Sequence, residues 1–304
     1  AVYNQNAGIR DAWIARLSAD WSTLEYSTYL GGELQDEITA IQVQGDQLIM
    51  TGWTSSPDWP TTAGAHDTTH NGSFDSFVTR LTPGAATLTY SPFLGGAAED
   101  RGWDLVVDGA GRVSVVGSTR SSDFPVTPGS FGSQFGGGIC IPGNPPTICS
   151  DGFLARFSAS GSALEVSGFF GGDNQDTFEA VDLDLAGNYH LTGTTQSPNL
   201  PVTSDAYDSG YNGGIDAVIA QVSASGAHLL YATYLGSSDE DEGFDIDWQP
   251  PDRLYIAGQT ESPDFPIAGN AYNPTHNGDA DGFYMLWQSP TASVSQLYLP
   301  AVLR

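Results

Sequence analysis

Acidic side chains are the residues of this sequence whose types and spacing could do chemistry. Asp245 and Asp247 lie two positions apart in the segment FDIDWQ, so a β-strand would place them on one face. Asp104 and Asp182 occupy matching positions in two other copies of an internal repeat. If that face lined a channel, the carboxylates would raise one another's pKa values or bind a hard cation such as Ca²⁺. The sequence has no EF-hand spacing, so we expect no cofactor and keep Ca²⁺ as a hypothesis.

The five histidines do not fall into a known catalytic pattern. The sequence has no HExxH, no Gly-x-Ser-x-Gly elbow, no Walker loop and no dinucleotide fingerprint. His70 and His276 both stand in THNG, at one repeat position, which is typical of a loop feature rather than of a catalytic base. We therefore predict no catalytic residues.

Aromatic residues near predicted loops form a second candidate site. Exposed aromatic rings beside Asp and Asn can hold sugars, whereas aromatic residues at repeat positions normally pack between repeats. Packing is the favoured interpretation and glycan binding is the alternative. The residues concerned are Trp53, Trp59, Trp103, Tyr207, Tyr211 and Tyr272.

The elements that position these side chains belong to the internal repeat. The repeat is therefore the first guide to the fold. Each copy contains four short β-type runs separated by turn signals, and none shows helical periodicity. This pattern predicts four antiparallel strands per copy, the composition of one propeller blade. The third run of each copy begins at an aspartate: Asp11, Asp75, Asp151, Asp216 and Asp281.

A Gly-Gly or Gly-Ser pair ends the fourth run, and an aspartate follows it at a fixed offset. Glycine permits the sharp crossing to the next copy, and a short carboxylate can accept backbone N–H bonds and fix the turn. We assign these residues that structural role, with cation binding as the alternative. They are Asp36, Asp100, Asp176 and Asp241. A Thr-x-Ser-x-[Asp/Asn]-Φ-Pro signature in the long loop suits an Asx-turn with a rigid exit.

These motifs resemble the SBBP family, the bacterial β-propeller repeat. The resemblance covers essentially the whole chain and is clearest in DSFVTRL, YSTYLGG and VVDGAGRVSVVGSTRSSDFPVTPGSF. It implies a secreted or cell-surface propeller and provides no set of catalytic residues to transfer.

We therefore predict an all-β fold, a β-propeller of about five blades that spans residues 1–304 as one domain. It would comprise four complete four-stranded repeats plus one half blade with only the third and fourth strands. The half blade covers residues 1–34, and the blades cover about 35–96, 97–172, 173–237 and 238–304. The C-terminal run SVSQLYLPAVLR is expected to form the last fourth strand.

Three explanations of the half blade remain open. The chain belongs to a longer array, the ring has one thin blade, or another chain supplies the missing strands. The last would drive assembly, because an unpaired strand edge recruits partners.

Charge and cysteine content limit the environment and the partners. The formal net charge is −27, from 36 acidic and 9 basic residues, which disfavours nucleic acid and anionic lipid. The sequence contains no apolar run of 18 residues, so we expect no membrane insertion. Cys140 and Cys149 flank a short Pro-rich loop, which indicates a local disulfide and an oxidising compartment rather than a metal site. We predict an extracellular or cell-surface protein.

The function expected from the sequence is non-enzymatic. The chain would be a structural or protein-interaction propeller that self-assembles through completion of its half blade. The alternative is a lectin-like propeller that binds a glycan or another ligand. A hydrolase or lyase comes third, because the fold alone does not establish an activity.

Overall fold

The computed structural model describes residues 7–82, 84, 87–143, 145–268 and 271–288. Over these residues the chain forms twenty β-strands and no α-helix, so the predicted all-β class is confirmed. Residues 1–6 of the predicted half blade and the predicted last strand in 289–304 lie outside the described residues.

The strands form antiparallel sheets in the order of the repeat. The first sheet contains β1 (Ala12–Leu17) and β2 (Leu24–Leu30). The second contains β3 (Asp36–Gln44), β4 (Gln47–Thr54), β5 (Asp75–Leu81), β6 (Leu88–Tyr90) and β7 (Phe93–Leu94), with β5 bonded to both β6 and β7.

The third sheet follows the same order and carries an insertion around the cysteines. Its strands are β8 (Asp100–Val107), β9 (Val113–Thr119), β12 (Asp151–Phe157) and β13 (Leu164–Phe170). Between β9 and β12, a separate two-stranded hairpin joins β10 (Ile139–Ile141) to β11 (Thr147–Ile148).

The last two sheets repeat the arrangement. The fourth contains β14 (Asp176–Leu183), β15 (Tyr189–Thr195), β16 (Asp216–Val222) and β17 (Leu229–Leu235). The fifth contains β18 (Asp241–Gln249), β19 (Arg253–Thr260) and β20 (Asp281–Gln288).

The first strand of each complete repeat contains a register irregularity. It falls between Ile38 and Ala40 in β3, and between Gly243 and Asp245 in β18. A β-bulge adds one residue to one strand and re-aims the side chains that follow. Two-residue alternation therefore does not hold across this point of the first strand.

The chain divides into two compact units, and each contains its own apolar cluster. Unit 1 comprises Ala1–Thr127 and Leu154–Ser167, and unit 2 comprises Pro128–Phe153 and Gly168–Arg304. A cluster in unit 1 contains Ile14, Leu30, Leu48, Met50, Trp59, Phe77, Leu81 and Phe93. A cluster in unit 2 contains Ala180, Ala217, Ile219, Tyr231, Leu235, Ile246, Leu254, Ile256, Phe265, Phe283, Met285 and Trp287.

Candidate functional site

A buried aspartate at the start of each repeat's first strand holds the turn after the glycine pair. In unit 2, Oδ2 of Asp176 accepts the Gly172 N–H at 2.7 Å and the Ser197 hydroxyl at 2.7 Å. Its Oδ1 accepts the Thr195 hydroxyl at 2.5 Å. The bonds from the turn amide and the serine recur at Asp36, Asp100 and Asp241.

The same network accounts for the long-loop signature. Its Thr and Ser are the two hydroxyl donors to the aspartate, as Thr195 and Ser197 show. The next polar residue, Asn199, accepts the Asp173 N–H of the turn at 2.9 Å. Two remote segments of each repeat are thus joined by side-chain hydrogen bonds, which is a structural use of these polar residues.

A second aspartate, the first residue of the third strand, lies against the same turn. A Cβ on Gly171 would lie 2.7 Å from Oδ1 of Asp151 and 2.8 Å from Oδ2 of Asp176, so only glycine fits. Burial, with a smaller contribution from the charge of Asp176, raises the pKa of Asp151 to about 7. Burial also raises the pKa of Asp216 to about 7 and that of Asp100 to about 6. These carboxyls therefore hold protons at mildly acidic pH.

The four carboxylates predicted as cation ligands lie on first strands but do not form one cluster. Among the described residues, no group of three or more His, Cys, Asp or Glu side chains is placed to hold a metal ion. Asp182 instead accepts the Trp248 N–H at 2.7 Å and the Leu183 N–H at 2.7 Å. Asp245 accepts the Ile246 N–H at 2.9 Å.

The other two predicted ligands have different surroundings. Asp247 accepts a bond from the Gln249 side chain at 2.8 Å. Asp104 pairs with Val116 in the ladder between β8 and β9. The hypothesis of Ca²⁺ binding stays a prediction.

The predicted aromatic surface divides into buried and exposed members. Trp59 is buried, stacks on Phe77 with ring centroids 4.0 Å apart, and donates its indole N–H to Ser91. Trp53 is also buried, whereas Tyr272 is exposed. At least two of the tryptophans therefore pack inside the protein rather than present a sugar platform.

A disulfide joins Cys140 to Cys149, as predicted, with Cα atoms 5.0 Å apart. It closes the hairpin of β10 and β11. No helix in the described part of the chain is long and apolar enough to cross a membrane.

The first repeat leaves a strand edge and an apolar face open. β1 pairs with β2 on one side, and no strand of the described chain pairs with its other side. Ile41 of β3 is 54% exposed, whereas the equivalent Leu105 and Ile246 are only 6% and 5% exposed. Trp13 of β1 is 70% exposed.

A cavity of about 290 Å³ opens in unit 2 beside the turn between β18 and β19. Tyr231, Trp248 and Trp287 provide aromatic walls, and His190 and Gln221 provide polar groups. Nε2 of His190 lies 3.5 Å from the Gln221 amide nitrogen. An apolar cavity with a few convergent polar groups is the usual form of a ligand site.

The charges at this cavity are set by burial and hydrogen bonding. Burial lowers the pKa of His190 and outweighs the opposing effect of Asp184, so the imidazole is neutral near pH 7. Its 3.5 Å contact with Asp184 is therefore not an ion pair at that pH. Burial alone would raise the pKa of Asp184, but bonds from Asn188 hold it below its ordinary value. Asp184 is consequently ionised.

Sequence reasoning missed this cavity. His190 has no motif around it, and the two tryptophans are nearly forty residues apart in the chain. One signal was present: the third strand carries arginine in DSFVTRL and DGFLARF but glutamine in DAVIAQV. A shorter side chain at one repeat position indicates that the space around it has changed.

No family model matches the chain, and no curated protein matches it. The solved structures that are similar in part include the following two. The first is Kuenenia stuttgartiensis hydrazine synthase, with a TM-score of 0.48 and 7% identity over 92% of this chain and 57% of that chain. The second is a protein of unknown function from Dyadobacter fermentans DSM 18053, with a TM-score of 0.46 and 12% identity over 94% of this chain and 70% of that chain.

The chain thus spans little more than half of the hydrazine synthase chain that it matches. Neither likeness carries a function over to it. The resemblance to SBBP repeats stays a prediction.

Proposed function

We propose that this chain is a non-enzymatic, extracellular β-propeller of about five blades that serves as a structural or protein-interaction module. Strand order within each complete repeat supports the propeller, because it follows the chain from first to fourth strand. Within each unit, successive first strands are joined alike: Val107 donates its N–H to Gln42, and Trp248 donates its N–H to Asp182. The disulfide supports an oxidising compartment.

The exposure of Ile41 is the observation that best supports the proposed role in protein interaction. The equivalent Ile246 is buried within unit 2, where β18 lies against β14 and β15, the first two strands of the preceding repeat. Those two strands have no counterpart beside β1 in the described chain. A two-stranded hairpin from another polypeptide would fill this place, pairing one strand with β1 and covering Ile41 with the other. Strand addition of this kind combines backbone hydrogen bonds with apolar burial.

The test uses a peptide that copies residues 100–119, the hairpin of β8 and β9, with Arg101→Gln and Arg112→Gln so that the peptide carries no guanidinium. We expect it to bind the purified chain and raise its melting temperature, whereas a scrambled peptide of the same composition should not. Ile41→Asp should abolish binding without unfolding the chain, because the side chain is 54% exposed. Ile139→Asp, at a residue that is 60% exposed in unit 2, is the matched control.

The mass of the chain in solution then shows whether the partner is a second copy or a different protein. A mass that rises with concentration in sedimentation velocity, or ordered polymers in electron microscopy, would make a second copy the partner. A constant mass with peptide binding would point to a different protein. Failure of the peptide to bind, together with a constant mass, would contradict the proposal.

Ligand binding is the second candidate function. The unit 2 cavity favours it, because aromatic walls and polar groups converge there. Screening glycans and small molecules against Trp248→Ala and the unaltered chain would test this candidate.

A further inference from the structure

The unit 2 cavity lies where unit 1 holds a buried arginine. In unit 1, Arg80 of β5 pairs with Ile49 on one side and with Tyr90 on the other. In unit 2, Gln221 of β16 pairs with His190 and with Tyr231. Gln221 is therefore the counterpart of Arg80, because the residues paired with each of them occupy the same positions in the neighbouring strands.

The guanidinium of Arg80 is buried at this site. Arg80 is 7% exposed, its Cζ lies 5.3 Å from the centre of the Tyr90 ring, and its Nη2 donates to the Gly111 carbonyl at 2.9 Å. Nη1 lies 3.5 Å from the Gln47 side-chain oxygen. The fold therefore has a place for one guanidinium between an aromatic ring and the turn of the next sheet.

The counterpart in unit 2 keeps the ring and the turn but lacks the guanidinium. Tyr231 replaces Tyr90, and Asp252 replaces Gly111: each turn residue lies eight positions before the threonine that ends the following strand, Thr260 or Thr119. Gln221 is shorter than arginine and uncharged. The space that it leaves is the cavity of about 290 Å³, which Tyr231 and Asp252 both line.

The walls of the cavity suit a cation better than those around Arg80. Asp184 and Asp252 bring carboxylates to it, whereas none of the ion pairs found among the described residues involves Arg80. Trp248 and Trp287 add further aromatic surface. Carboxylates with stacked aromatic rings are the usual surroundings of a bound guanidinium.

We propose that the unit 2 cavity binds the guanidinium group of an external ligand, stacked on Tyr231 and facing Asp184 and Asp252. The ligand is an arginine side chain, either in a protein segment or as the free amino acid. This site is separate from the open edge of β1, so it does not depend on the interaction proposed above.

Calorimetric titration at low salt tests the site with N-acetyl-arginine amide. We expect one site per chain. N-acetyl-citrulline amide, which is neutral and nearly isosteric, should bind at least about tenfold more weakly, because hydrogen bonds to charged groups are the stronger ones. Free L-arginine distinguishes the sources. Tighter binding of the blocked amide indicates an arginine within a protein, and tighter binding of L-arginine indicates the amino acid.

Two pairs of variants locate the site. Gln221→Arg should supply the guanidinium from within, so the probe no longer binds and the melting temperature rises. Ile141→Arg, which adds arginine to an exposed position of the insertion, should bind the probe normally. Asp252→Asn should weaken binding at least about fivefold, whereas Asp239→Asn on the surface should not.

Equal binding of the arginine and citrulline probes would overturn the proposal. Retention of probe binding by a folded Gln221→Arg variant would also overturn it. If that variant does not fold, Asp252→Asn decides, because its side chain lies in a surface turn: unchanged affinity would refute the assignment.

Discussion

Unit 1 and unit 2 each contain an equivalent junction between neighbouring sheets, but different side chains lie in the two junctions. In unit 1, Arg80 occupies the space between the Tyr90 ring and the Gly111 carbonyl. In unit 2, Gln221 leaves the equivalent space open, and Trp248 and other residues line a cavity there. The packed and the accessible junction thus differ in the side chain at this strand position, while strand pairing stays the same.

The comparison predicts unequal costs of truncation at the two positions. Arg80→Ala should lower the free energy of unfolding by about 2–4 kcal/mol, since it removes a buried stem, a ring contact and a hydrogen bond. Gln221→Ala should cost less than about 1 kcal/mol, because the side chain borders an existing cavity. Urea denaturation measures both changes. Equal losses would show that the two junctions are energetically alike.

The two units should also respond differently to pH. Burial raises the pKa of Asp151, Asp216 and Glu179 in unit 2 to about 7, and that of Asp100 in unit 1 to about 6. A raised pKa gives stability that is complete below the unfolded value near 4 and is lost as the pH rises through the folded value.

From pH 8 to pH 6.5, each group near pKa 7 should therefore lower the equilibrium constant for opening of unit 2 roughly fourfold. Hydrogen exchange, corrected for the intrinsic pH effect, should show more added protection in unit 2 than in unit 1. Asp216→Asn should remove the contribution of one titrating group from the added protection of unit 2. Staying at or above pH 6.5 limits the opposite effect of His190 to about twofold, because its lowered pKa costs stability as the pH falls through its unfolded value of 6.5. Uniform protection across both units would contradict the prediction.

The smallest effect is expected at the insertion, which has no counterpart in unit 1. The Cys140–Cys149 disulfide links two residues that lie nine positions apart, on a hairpin with the exposed residues Ile139 and Ile141. Its reduction frees the loop between them. We expect faster exchange in β10 and β11 and a melting temperature lowered by less than about 2 °C, because the opening stays local. A large loss of melting temperature on reduction would show that the insertion stabilises unit 2.

Much of the fold could be predicted from local patterns. Each repeat's turn, strand and loop residues lie within one short stretch, so the signals around Asp176 and Thr195 identify the strands and their connection. The role proposed for the turn aspartates needed only the general behaviour of short carboxylates at turns.

The cation hypothesis shows where local patterns are insufficient. Asp245 lies directly after a register irregularity, so its orientation could not be read from alternation. Asp182 hydrogen-bonds to Trp248, which is 66 residues away in the chain. The cavity was missed for the same reason, since His190, Gln221 and Trp287 come together only through pairing between strands and sheets.

The turn network has a genetic consequence. Gly172, Asp176, Thr195, Ser197 and Asn199 all lie within a stretch of 28 residues, and the side-chain hydrogen bonds of the network join them to one another or to the turn amides of Asp173 and Asn174. A duplication or deletion of one repeat in the gene would carry this network intact, with no compensating change elsewhere. The length of such an array can therefore change by recombination more readily than the length of a fold whose turns depend on distant partners.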